Sequence, residues 1–117
     1  MSLEQFQAEE QSRIQPAVTP NVITYADTGY KMTIGDSLIL LDTTDGAITL
    51  YLPPVGPAVG RLFSFRMTTR GGSNDVTLED AGDEPLFTHL TFNLAADSTL
   101  LYSDGLIWHK LASIGSV

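Results

Sequence analysis

His89, His109 and the acidic run Glu79-Asp80-Ala81-Gly82-Asp83-Glu84 are where this chain has residues able to hold a metal. Calcium takes several carboxylate and carbonyl oxygens from a flexible loop, and the run supplies carboxylates on both sides of a glycine. It lacks the twelve-residue spacing of an EF-hand, and a solvated acidic turn between strands is the plainer reading. The two histidines have no HxxxH or HxxH partner, so each is expected as a strand residue at a half-buried or interface position. The chain has no cysteine, which removes disulfides, thiolate metal sites and thiol nucleophiles. No serine sits in GxSxG or SxxK, and Gly56, Gly60, Gly71 and Gly72 form neither GxGxxG nor a phosphate loop. The expectation is a non-catalytic protein with no cofactor and no resident metal.

Binding chemistry offers more. Trp108, the single tryptophan, lies across the Asp104-Gly105 turn from Tyr102. Such a pair can form a sugar-stacking platform or an interface anchor, or it can pack as cross-strand neighbours closing one end of a core. The net charge of −8 argues against nucleic acid and anionic membranes, which are gripped by basic surfaces. Arg61, Arg66 and Arg70 cluster in sequence, but alternation spreads the first two along a strand that also buries Phe63 and Phe65. No apolar run approaches the roughly 18 residues of a membrane span, and no segment reads as a signal peptide, so a soluble protein without a secretion address is expected.

The elements that must carry these residues are strands. At 117 residues one domain is expected, large enough to hold a core without staples. In DGAITLYLPP, Ile48, Leu50 and Leu52 alternate with Thr49 and Tyr51; in GRLFSFRM, Phe63, Phe65 and Met67 share one face. Strands are expected at Val22–Ala26, Ser37–Asp42, Ala47–Leu52, Arg61–Thr68, Asp75–Glu79, Leu86–Leu94, Thr99–Ser103 and Leu106–Ala112, with turn residues in nearly every gap. Asp45-Gly46 and Asp104-Gly105 read as two tight hairpins, because Asp-Gly tolerates the positive φ such turns need. No internal repeat survives counting. After Asn21 nothing has the length and period of a crossover helix, so the expected fold is all-β, a single small β-sandwich or jelly-roll-like domain occupying residues 22–117.

Residues 1–21 differ. Ser2 and Gln5 could form a weak capping box, with Leu3 and Phe6 on one face of a short helix running to about Arg13. Pro16 and Pro20 then keep the chain extended. A helix this short is marginal alone, so an extended N-terminal arm is expected, either disordered or docked on a neighbour through Leu3, Phe6, Ile14 and Val18.

The stretches DGAITLYLPP, GRLFSFRM, NDVTLED and LTFNLAADSTLLYSDGLIWHKL together resemble a β module of tailed-phage virion proteins. That module has an alternating strand ending in Leu-Pro, a Gly-Arg strand with aromatics, an Asn-x-Val-Thr-Ile strand and a closing Ser-Asp-Gly-x-x-Trp hairpin. The match runs from Asp42 to Leu111. It departs at the closing turn, where the usual GxNW becomes Gly105-Leu106-Ile107-Trp108. The resemblance implies a head decoration (cement) protein on the outer surface of the capsid, binding the major capsid protein and itself as a homotrimer. A tail-fibre or baseplate tip that binds a receptor or carbohydrate through Tyr102, Trp108 and the loops Arg70–Asn74 or Asp80–Glu84 is the alternative. A trimer would use large side chains on the non-core face: Tyr51, Leu62, Leu101 and Leu106.

Overall fold

The computed structural model describes residues 18–117. Nine strands build two sheets: β1 (Asn21–Thr24), β2 (Tyr30–Lys31), β3 (Leu38–Asp42), β4 (Ile48–Tyr51), β5 (Leu62–Thr69), β6 (Val76–Glu79), β7 (Leu90–Phe92), β8 (Ser98–Ser103) and β9 (Trp108–Ile114). The larger sheet has the order β1-β3-β5-β8-β9 and the smaller β2-β4-β6-β7. The fold is therefore all-β, two mixed sheets sharing one core, and among the described residues no helix is long and apolar enough to cross a membrane.

From β1 to β6 the chain alternates between the sheets, so odd strands stack in parallel in one and even strands in the other. Parallel neighbours need a long crossover; here the crossover is a strand of the opposite sheet, and each circuit is one coil of a flattened solenoid. Asn21 lies beside Ile39 and Ile39 beside Phe65, while Tyr30 lies beside Leu50 and Leu50 beside Leu78. The coils differ in length, mainly because residues 53–60 are inserted between β4 and β5. That inequality hides the structural repeat from a count at fixed period. From β7 onward all pairing is antiparallel, and the winding stops.

One expected hairpin is overturned. Asp45-Gly46 joins β3 to β4, which lie in different sheets, so the turn is a corner. Gly46 does not adopt positive φ. It is glycine because the ring of Tyr25, from the 3-10 turn Tyr25–Asp27 of the preceding coil, lies against it: a Cβ would sit 2.5 Å from Tyr25 Cδ1. The next corner repeats the device, since a Cβ on Gly71 would collide with the Thr44 carbonyl. Buried Thr43 locks these corners together. Its hydroxyl donates to Asn74 O at 2.9 Å and accepts from Gly71 N at 3.3 Å, and its carbonyl accepts from Asn74 Nδ2 at 3.0 Å. The second hairpin forms as expected, joining β8 to β9.

Alternation places the core as the sequence requires. Ile48, Leu50 and Leu52 from one sheet meet Phe63, Phe65 and Met67 from the other, with Ile23, Ile39, Leu41, Val76, Leu78 and Phe92. Expected strand Leu86–Leu94 shrinks to β7, because Pro85 to His89 form a loop around the buried Glu84, whose carboxylate accepts from Leu86 N at 2.9 Å. The two-residue β2 has no counterpart among the expected strands.

Candidate functional site

Strands β3, β5 and β8 send alternate side chains inward, so their remaining positions form the outer face of the larger sheet. Leu38 pairs with Ser64 and Ser64 with Leu100, which pairs with Ala112 on β9. The neighbouring row is Val22, Leu40, Arg66, Ser98 and Ile114. On the other side of the central row Leu62 pairs with Tyr102 and Tyr102 with His109. A sheet face left to solvent ordinarily turns polar. This one keeps large apolar groups in the open: Val22 is 54% exposed, Leu62 50% and Ile114 63%.

A shallow groove of about 340 Å³ crosses this face, lined by Val18, Ser37, Leu38, Leu62, Ser64 and Leu100. Val18, the first described residue, thus lies on the sheet it precedes. A smaller depression beside it involves Ser64, Leu100, Ala112 and Ile114. Among the described residues strand β9 closes the sheet as an unpaired edge, with every residue from Lys110 to Ile114 exposed and Leu111 inserted at a bulge opposite Leu100 and Leu101. Apolar surface next to an open edge is the usual make-up of an adhesive face.

The expected contact residues separate. Leu3, Phe6 and Ile14 of the arm lie outside the described residues, and Val18 lines the groove. Of the four residues assigned to a trimer interface, only Leu62 is on the apolar face. Leu101 is 1% exposed and belongs to the core, a correction whose cause is register: it pairs with Phe63, an inward position. Tyr51 lies on the smaller sheet, and Leu106 projects from the β8–β9 turn.

Trp108 likewise turns inward and packs edge-on against Phe63, ring centroids 5.5 Å apart. It pairs with Ser103 across the turn, whereas Tyr102 pairs with His109, so tyrosine and tryptophan stand on opposite faces and make no platform. His109 Nε2 instead lies 2.8 Å from Asp104 Oδ2. The His109 contact, with the amides of Ile107 and Leu106, holds the Asp104 carboxyl down at about 2.

Three carboxylates of the acidic run are spent on nearby backbone amides, while among the described residues Glu79 at its start has no such partner. Asp80 accepts from Glu84 N at 3.0 Å, Asp83 from Val55 N at 3.0 Å and Glu84 from Leu86 N. Among the described residues no three histidine or acidic groups converge on a point where a cation could sit. His89, expected in a strand, is exposed in the loop before β7. Sequence reasoning missed the apolar face because Leu38, Leu40, Leu62 and Leu100 are spread over three strands. Only the pairing order makes them neighbours.

Comparison with family models, with curated proteins and with solved structures finds no match for this chain.

Proposed function

We propose that this chain is a structural virion protein, a capsid decoration (cement) protein that adheres to the outer surface of a phage head as a homotrimer. The observation that carries the reading is the exposed apolar face of the larger sheet, with Val18 lying in its groove and Leu62, Leu100 and Ile114 around it. Fully burying one such side chain stabilises a contact by about 1.5–3 kcal/mol, so a face of this kind favours adhesion. The motif resemblance supplies the virion context. Net charge of −8 fits a protein that coats a particle without gripping its nucleic acid.

In this reading residues 1–17 and the apolar face act together, the arm reaching a neighbouring subunit while the sheet rests on the shell or on another copy. Many symmetric copies then add small contacts into a large resistance to bursting. The glycan-binding tip in its expected form is not retained, since Trp108 is interior.

Co-sedimentation with heads stripped of decoration tests the reading. The full chain is expected to pellet with the particles, and chains lacking residues 2–17 or carrying Leu62→Asp to stay in the supernatant while keeping the circular dichroism of the parent. Undiminished binding by both variants would refute it.

A further inference from the structure

The smaller sheet carries a second surface feature of a different chemical kind. At the ends of β2, β4 and β6, before the chain turns toward the larger sheet, lies an open cleft of about 570 Å³. That is within the range of about 300–1,000 Å³ usual for small-ligand sites. Its centre is one row of the sheet: Lys31 beside Tyr51 and Tyr51 beside Glu79. Met32 and Leu52 lie beneath it as buried core residues, and Asp80 stands on the rim.

The row is built for a ligand that is both apolar and hydroxylated. Among the described residues, no hydrogen bond or ion pair engages the Lys31 ammonium, the Tyr51 hydroxyl or the Glu79 carboxylate, although they are strand neighbours. Asp80 uses Oδ2 on Glu84 N, which fixes the carboxylate and leaves Oδ1 available. A half-buried tyrosine ring between a donor and an acceptor offers a flat C–H surface a partner and its hydroxyls two polarities of hydrogen bond. A simple anion would meet Glu79 and Asp80, and a simple cation would meet Lys31. A neutral ring with vicinal hydroxyls satisfies all of them.

We infer that the Lys31–Tyr51–Glu79 row is a binding site for a neutral saccharide, taking one or two pyranose rings with a C–H face on Tyr51. Glu79 accepts from a pair of ring hydroxyls, and Lys31 donates to a hydroxyl or glycosidic oxygen on the far side. The site faces away from the apolar sheet, so it operates whether or not that face is covered, and its test is independent of the docking test.

Two-dimensional amide NMR titration of the full chain decides it, with cellobiose, maltose, lactose and chitobiose as probes and glycerol as the control polyol. At least one disaccharide is expected to move the amide signals of Lys31, Tyr51, Leu52 and Glu79 saturably in the millimolar range, with glycerol moving none. Tyr51→Ala should weaken binding by at least about tenfold, while Tyr51→Phe, which keeps the ring, loses much less. Because Tyr51→Ala removes a half-buried ring, the exposed Lys31→Ala and the conservative Glu79→Gln serve as second variants and should each weaken binding with the amide spectrum otherwise intact. No shift with any of the four sugars, or shifts unchanged by all of these substitutions, would overturn the inference.

Discussion

Gly115 and Ala96 hold opposite positions in one small cluster, and each carries a prediction. Gly115 has a φ of +84°, and a Cβ there would collide with the carboxylate of Asp97. That carboxylate is buried and committed, accepting from Asn93 N, Leu94 N and the Ser116 hydroxyl. Gly115→Ala is therefore expected to destabilise by about 1–3 kcal/mol, through backbone strain and displacement of a hydrogen-bonded buried acid, read as a fall in the denaturant midpoint. Ala96 already has a φ of +74°, the single non-glycine with positive φ among the described residues. Ala96→Gly relieves that strain and loosens the unfolded chain, so a net gain of at most about 1 kcal/mol is expected. A different sign applies to acid. The folded Asp104 carboxyl titrates at about 2, below the ordinary value of an unfolded aspartate, through His109 first and then the Ile107 and Leu106 amides. Its stabilisation is in full force above the unfolded value and disappears as pH falls through the folded one. Asp104→Asn should flatten the acid side of the melting-temperature profile and leave its shape at alkaline pH unchanged. Asp36 behaves alike: burial pushes its carboxyl up, but hydrogen bonds from Thr33, Tyr30 and Asn21 outweigh burial and leave it below the usual range.

Corners, more than strands, specify how the elements connect. Gly71→Ala forces a methyl into the Thr44 backbone, which has no room to yield because Thr43 and Asn74 bond across the same corner. A loss of about 1–3 kcal/mol is expected by chemical denaturation, as for other overpacked sites. Native-state amide exchange should rank the elements too. The strands paired on both sides, β3, β5 and β8 in the larger sheet and β4 and β6 in the smaller, should exchange slowest, β2 and the outer half of β9 fastest. The same corners explain how far the sequence could be read. Alternation fixes which side chains go inward, and the inward sets at 48–52 and 63–67 are as read, because a slip by one residue would expose all of them. Strand partners are another matter. Asp45-Gly46 and Asp104-Gly105 are identical dipeptides with different tasks. In the first, glycine makes room for Tyr25; in the second, Gly105 adopts a φ of +93° in a true hairpin. The difference lies in Tyr25, 21 positions before Gly46 and beyond any local pattern. Leu101 was misassigned for the related reason that its face depends on its register with Phe63. The apolar face and the Lys31–Tyr51–Glu79 row were illegible for the same cause, each being assembled from separate coils.

At the scale of the whole molecule the two outer faces divide the labour: apolar on the larger sheet, hydroxylated and charged on the smaller, where Thr49, Thr77 and Thr91 line up beside the cleft. Leu62→Asp and Ile114→Asp together should leave thermal stability within about 0.5 kcal/mol of the parent, as exposed substitutions do. If the proposed trimer forms through this face, they should abolish it in sedimentation velocity; a trimer that persists would refute that role for the face. The coil-by-coil winding also gives the molecule a polarity. At the β7–β9 end the chain has doubled back, so the edge strand of each sheet runs antiparallel to its neighbour and the parallel winding is lost. Among the described residues β1 and β2 end their sheets on the other side, each parallel to its neighbour, so a further circuit docked there would meet edges that continue the winding. Continuing the parallel winding is thus a one-sided operation, as for a screw whose far end carries no thread.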